Sequence, residues 1–403
     1  MSNVWRPTKE QVEKLKGQLD FDDQYVFARK TTEKFRKLLT ENAYVHALGA
    51  ESGNQAIQMA TAGLKAIYLS GWQTAANQNN SNSMFPDMGL YDPSSVPTNI
   101  KKINNAFQRR AQIDKMEGVD RDWLVPIVAD GEHGFGSSLN TYELVKNMIS
   151  AGVAGIHLEN QAVSHVRRCG HLSGKVLVPA LEHNQRLKAA RLASEVCNVD
   201  TVIIARTDAK SAQYLTSDVD NSDKPFLTGK RTPEGLFEIT GGLDMAISTG
   251  LQFAPYADML WMEDSTPSLD NAIKFANAIH AQFPNKMLAL NCSPSFMWSK
   301  HMRREEMSEF QKELAKHNYK FFFVTLAGFH SMNNAMFELA TGYASEGMAA
   351  YSDLQETEVK NQNIGFQSLK HQSFVGTGYY DLVAEIIGSS ISALENSTEK
   401  EQF

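Results

Sequence analysis

The sequence predicts an α/β protein built as a (β/α)8 barrel with additional helices at both ends of the chain. Two observations carry this expectation: short, almost continuously apolar runs recur along the 403 residues, and amphipathic stretches fill the gaps between them. Continuous apolarity, rather than strict alternation, is what strands covered on both faces look like. A third observation concerns how the runs end. Nearly all stop at polar or charged residues, as the strands of such a barrel do at the C-terminal mouth where its chemistry gathers.

In chain order, residues 1–40 read mainly as helix. The runs then follow at 44–50 (YVHALGA, which completes the count of eight), 66–72, 124–132, 154–160, 201–209, 259–265, 287–293 and 320–328. Helices are expected between them at TYELVKNMISAG, with Asn140 or Thr141 as its N-cap, at HNQRLKAARLASEV, and at LDNAIKFANAIHAQF behind a Ser-Thr-Pro-Ser start. Residues 214–243 are polar and glycine-rich and form an excursion after the fifth run. Residues 331–403 return to a helical pattern, with tyrosines and methionines that suggest packing beyond a minimal barrel. A single domain over 1–403, with its barrel at 44–330, is the expected organisation.

The formal net charge of -7 gives no basic field, which argues against a nucleic-acid partner. No apolar run reaches the roughly 20 residues that span a bilayer, and the start of the sequence lacks the apolar stretch of a secretory signal, so a cytoplasmic protein with no membrane partner is expected. Cys169, Cys197 and Cys292 are an odd count without a CxxC spacing, which fits neither a disulfide framework nor a structural zinc site.

The run ends are Ser70-Gly71-Trp72, Asp130 with Glu132, Glu159, Arg206 with Asp208, Glu263 with Asp264, Asn291 with Ser293, and Thr325. One acid after a strand more often caps a helix than binds a ligand. Four or five on one mouth repel one another unless a hard cation sits among them, and Mg2+ suits oxygen ligands and retained waters. Asp130, Glu132 and Glu159 are the first candidates, with Asp87 reaching in from MFPDMGLYDP. Together with Arg206, His157 and the Asn291, Ser293 and Ser295 cluster they describe a site for a small polyanion. NCSPSF by itself reads equally as a capped turn. Cys169 stands among Arg167, Arg168 and His171, a setting that favours the thiolate, and Gly170 gives its loop freedom to close. A lone Cys-Gly-His is just as readily structural. Cys197 and Cys292 read as small buried residues.

The blocks ALGAESGNQAIQ, GLKAIYLSGWQ, PIVADGEHGFG, RRCGHLSGKVLVP, IIARTDA, LTSDVDNSDKPFLTG, YADMLWMEDSTP, LALNCSPSFMW, TLAGFH and HQSFVGTGYYD, in this order, resemble the isocitrate lyase family of the isocitrate lyase/phosphoenolpyruvate mutase superfamily. The resemblance implies a barrel with a helix exchanged between subunits, a homotetramer, and Mg2+-dependent cleavage of isocitrate to glyoxylate and succinate, with Mn2+ as a substitute ion. By position it implies Asp130 as the closest metal ligand, with Asp87, Glu132 and Glu159 acting through metal-bound waters. Ser70, Gly71, Trp72 and Arg206 would hold glyoxylate; Asn291, Ser293, Ser295 and Thr325 would hold succinate, with Gly170 and His171 adding contacts. Cys169 takes the place of the acid, Tyr68 competes with His157 and a metal-bound water for the substrate hydroxyl, and Glu263 is an active-site acid of open role.

Three departures cluster near this centre. Arg167 stands where the family usually has lysine, His133 follows Gly131-Glu132 in place of the usual Ala-Glu-Ala, and Asn160 replaces an aspartate. They leave open a related substrate such as 2-methylisocitrate, which the NCSPSF pattern disfavours, and a non-catalytic dicarboxylate binder, which the retained thiol and acids disfavour.

Overall fold

The computed structural model describes residues 4–16, 22–163, 165 and 169–402. Twelve strands occur among them: β1 (Val45–Gly49), β2 (Ala66–Leu69), β3 (Ile127–Asp130), β4 (Gly155–Glu159), β5 (Val176–Leu177), β6 (Val202–Thr207), β7 (Tyr214–Leu215), β8 (Leu227–Arg231), β9 (Phe237–Ile239), β10 (Met259–Met262), β11 (Met287–Asn291) and β12 (Tyr319–Val324). Eight of them close a parallel barrel in the order β1-β12-β11-β10-β6-β4-β3-β2, each at one of the eight apolar runs. Closure pairs Val45 with Phe321 and Leu48 with Val324.

Both faces of these strands are covered, which is why the runs look continuously apolar. One set of side chains points into the barrel: Val45 and Ala47, Ala66 and Tyr68, Val128, Val202 and Ile204, Met259 and Trp261, Ala289, Phe321 and Phe323. Phe35 and Leu39, from the helix Val26–Glu41, join this inner cluster at the bottom, with Phe35 edge-on to Phe321 at 5.5 Å. The opposite set packs against the outer helices, as Ile67, Leu69, Ile127, Ile203, Leu260 and Phe322 do. At about 25 cal/mol per Å2 of buried apolar surface, these two layers dominate the stabilisation.

The excursion over 214–243 is built as a sheet of its own. β7 and β9 pair antiparallel, β8 pairs with β9, and β5 joins β7, giving the order β5-β7-β9-β8. The contribution of β5, which comes from the connection after β4, was not visible in the sequence because two residues carry no period. One cap is corrected: the helix Ser138–Ser150 begins behind Ser137, whose hydroxyl accepts from Leu139 N and whose backbone N–H donates to Asn140 Oδ1 at 2.9 Å. Ser137 wins over Asn140 and Thr141 because a capping side chain must precede the first helical turn. The helix over Leu269–Gln282 is capped by Ser268, as expected. No helix among the described residues is long and apolar enough to cross a membrane.

Candidate active site

The alternation that fills the barrel continues beyond its last apolar layer. Stepping by two along each strand leads from Ala66 and Tyr68 to Ser70, from Val128 to Asp130, from Gly155 and His157 to Glu159, and from Val202 and Ile204 to Arg206. The same step leads from Met259 and Trp261 to Glu263, from Ala289 to Asn291, and from Phe321 and Phe323 to Thr325. A strand that points its apolar side chains inward must point these polar ones inward too. All of these but Glu159 line one cleft of about 420 Å3, together with Tyr68, Trp72, Asp87, Cys169, Gly170, His171, Trp261, Ser293, Ser295 and Leu326.

Fourteen residues read as site residues from the sequence thus share one cleft, from Tyr68 and Ser70 to Ser295 and Thr325. Glu132, Glu159, Gly71 and His157 do not line it but stand immediately behind, where Glu132 and Glu159 are fully buried. Arg167 and Arg168 lie outside the described residues. Trp261 and Leu326 line the cleft without having been singled out. Their apolar character gave no chemical signal, although the inward step alone would have found Trp261.

On the acidic wall, Asp130 is held by two backbone donors: Gly71 N reaches Oδ2 at 3.1 Å and Glu132 N reaches Oδ1 at 2.8 Å. His157 Nδ1 stands 3.5 Å from Asp130 Oδ1, and its Nε2 meets the Tyr68 hydroxyl at 2.7 Å. Burial, reinforced by Asp130, holds the Tyr68 phenol well above its ordinary pKa, so it is a neutral hydroxyl. Tyr91, not anticipated from the sequence, donates its phenolic proton to Glu132 Oε1. Burial first, then Glu132, Asp130 and Asp87, raise its pKa well above normal and keep that proton in place.

Around the cationic centre, Arg206 lies over the Trp261 ring at 4.6 Å and is shared between Glu159 Oε2 at 3.3 Å and Asp208 Oδ1 at 3.0 Å. Asp208 also pairs with the fully buried Lys175 at 2.8 Å, and its N–H donates to Asn160 Oδ1 at 2.9 Å. Burial alone would raise the Asp208 carboxyl, but Arg206 and then Lys175 draw it far below the usual carboxylate range. Lys175 was inside a quoted motif and Asp208 at a run end, yet neither was predicted to serve the site. Asp264, adjacent to Glu263, points the other way and pairs with Lys210.

The loop after β4 brings Cys169, Gly170 and His171 over the cleft. His171 Nε2 is 2.8 Å from Ser293 Oγ and 3.2 Å from Glu263 Oε1. Burial, then Arg206 and Lys175, push its pKa down to about 4, so the ring is neutral near pH 7. Burial pushes the Glu263 carboxyl up, against the pull of Arg206. Any side chain at 170 would collide with Glu263 Oε1 and stand 2.7 Å from Arg206 Nη2, so this close approach requires glycine. Cys292 faces away from the cleft, its thiol pushed up to about 12 by burial, and Gln311 donates to its sulfur.

The acidic wall fits a hydrated divalent cation. A Cβ added to Gly71 would collide with Glu132 Oε1 and lie 2.6 Å from Asp130 Oδ2, so two carboxylates converge on one small space that glycine keeps open. Asp87 lines the same cleft as Asp130. Among the described residues no three His, Cys, Asp or Glu side chains come close enough to ligate an ion together.

Solved structures share the fold at low sequence identity. 2,3-dimethylmalate lyase, described as a phosphoenolpyruvate mutase/isocitrate lyase superfamily member, superposes with a TM-score of 0.59 at 20% identity, covering 89% of this chain and 96% of its own. Oxaloacetate acetylhydrolase in complex with 3,3-difluorooxalacetate gives 0.57 at 21% identity, over 85% and 99%. Relatives by sequence are much nearer. Isocitrate lyase of Halalkalibacterium halodurans is 52% identical over 405 residues, 99% of this chain and 94% of that protein. Isocitrate lyase 1 of Mycobacterium tuberculosis is 50% identical over 385 residues, 94% and 90% of the two chains. The model of the isocitrate lyase family matches residues 3–234 and 229–403, and with relatives half identical over almost the whole length this chain belongs to the isocitrate lyase family.

Proposed function

We propose that this chain is a carbon–carbon lyase that cleaves isocitrate to glyoxylate and succinate with the help of a divalent cation, Mg2+ or in its place Mn2+. The observation that carries the reading is the one cleft that a thiol, Cys169, shares with the carboxylates of Asp87 and Asp130, the Arg206 guanidinium and the neutral donors Asn291, Ser293, Ser295 and Thr325. Asp130 would hold the ion most directly, and Asp87, Glu132 and Glu159 through water; when bound it supplies Lewis-acid stabilisation of the oxygen that becomes the glyoxylate carbonyl.

Arg206, with Ser70, Gly71 and Trp72, binds the glyoxylate half. Asn291, Ser293, Ser295 and Thr325 bind the succinate half through donors that add no charge, with Gly170 and the neutral His171 closing over it. The substrate hydroxyl loses its proton to Tyr68, which in the same step passes its own to His157 Nε2. Such a relay needs no free phenolate, which burial forbids, and it requires the tautomer with hydrogen on Nδ1, facing Asp130. The bond between the hydroxyl carbon and its neighbour breaks, its electron pair stays on the succinate carbon, and Cys169 delivers a proton there. Glu263 holds His171 in place.

The test is glyoxylate release from isocitrate by the purified protein with and without Mg2+, alongside 2-methylisocitrate. Rapid, ion-dependent release from isocitrate is expected; faster cleavage of 2-methylisocitrate would reassign the substrate, and no release from either would end the reading.

The same proposal includes assembly into a homotetramer of the cytoplasmic type the sequence suggested. The helix Ala327–Glu346 buries only Gly328 among its twenty residues and leaves Met336 and Phe337 exposed, the latter at 72%. Apolar side chains in such numbers on a helix ask for cover by another copy. Light scattering should give four chains; a monomer at micromolar concentration would contradict this.

A further inference from the structure

Tyr91 takes no part in the steps above, yet it bonds one acid of the site and shares a loop with another. It stands four residues after Asp87, in the connection between β2 and the helix Ser95–Met116, and its phenol reaches across to Glu132 just beyond β3. Its ring meets Phe135 edge-on at 5.4 Å. Glu132 and Phe135 both hold left-handed backbone, with φ of 53° and 54°, an uncommon conformation for residues with side chains that persists only where surroundings enforce it.

Other bonds fix the backbone there: Glu132 N donates to Asp130 Oδ1, and Glu159 N donates to Glu132 O at 2.9 Å. Neither fixes the direction of the Glu132 carboxylate. The Tyr91 hydroxyl bonds the carboxylate itself, and because the tyrosine shares its loop with Asp87, the same bond ties that loop to the end of β3.

We propose that Tyr91 is a positioning residue of the cation site, aiming Glu132 and holding the Asp87 loop in register with Asp130 before the ion arrives. The inference rests on the lyase reading and the cation it needs. Groups that orient metal-binding carboxylates typically contribute 10- to 100-fold in metal affinity.

The decisive variant is Tyr91→Phe, which keeps the ring against Phe135 and deletes only the hydroxyl. Titration with Mn2+ alone, followed by the electron paramagnetic resonance of the free ion, should show affinity lower by about 10- to 100-fold. At saturating Mn2+ kcat should stay within a few-fold of wild type. A merely structural tyrosine would instead lower the melting temperature and kcat and leave the Mn2+ Kd unmoved. Combining Tyr91→Phe with Glu132→Ala should cost little more than Glu132→Ala alone, since the hydroxyl acts through that carboxylate. A Kd for Tyr91→Phe within about twofold of wild type, full additivity with Glu132→Ala, or a wild type that binds no Mn2+ would each overturn the proposal. A wild type that binds Mn2+ but releases no glyoxylate would defeat the lyase reading, while the titration would still decide the role of Tyr91.

Discussion

Replacing Cys169 by alanine is expected to lower kcat for isocitrate cleavage by about 10²- to 10⁴-fold, the usual worth of a positioned acid in a proton-transfer step. The thiol is half-buried and lines the cleft that Asn291, Ser293 and Thr325 also line, so it is placed to reach the carbon that leaves as succinate. Cation affinity should be untouched, because the groups that would hold the ion are the carboxylates of Asp130, Asp87, Glu132 and Glu159 and not the thiol. The KM for isocitrate should change by no more than a few-fold, since a group acting in the transition state contributes little to ground-state binding. Cys169→Ser, with a far less acidic hydroxyl, should fall between wild type and alanine. Steady-state glyoxylate release measures all three, and a loss under about tenfold in the alanine variant would take Cys169 out of the proton's path.

The second large effect concerns stability. Lys175 and Asp208 are a fully buried ion pair at 2.8 Å, and Asp208 has a second partner in Arg206. Lys175→Met leaves a buried carboxylate with half its compensation. Removing one member of such a pair typically costs about 3–5 kcal/mol, with the lower end expected here because Arg206 remains. Urea unfolding at pH 7 measures it. Adding Asp208→Leu to Lys175→Met should restore part of the loss, since the stranded charge is then gone. The pH dependence has a definite sign. Arg206 and Lys175 hold the folded-state pKa of Asp208 below its unfolded value near 3.9, so the stabilisation is complete above that value and fades as acid is added. The gap between wild type and Lys175→Met should therefore be equal at pH 7 and pH 5 and narrow only below about pH 4. A single-variant loss under about 1 kcal/mol, or a gap that widens in acid, would contradict this account.

Much of the fold and the site was legible because one regularity served both. Each strand had to alternate to fill the barrel, so the polar residue two steps past the last inward apolar one had to point into the mouth. That step separates Glu263 from Asp264 and Ser293 from Cys292, pairs that composition alone leaves equivalent. Tyr91 was not legible, since it sits in a long connection with no period and its partner is fixed only by the fold. Lys175 was hidden for a related reason: a lysine is ordinarily solvated, and nothing local says that a residue 33 positions later, Asp208, will pair with it in the interior. The two-residue β5 fell below the length at which any pattern exists.

The barrel closes when Val45 finds Phe321, near the end of its eight strands. During synthesis the acids of β3, the thiol loop and Arg206 all emerge well before the strand that completes the ring, and Thr325 emerges just after it. Because pairing between distant segments is slow and leaves strand edges uncovered until it happens, β1 and β11 spend that interval as open edges. The ribosome thus delivers nearly all of the residues that line the cleft before there is a vessel to hold them, and the last barrel strand decides when a closed cleft first exists.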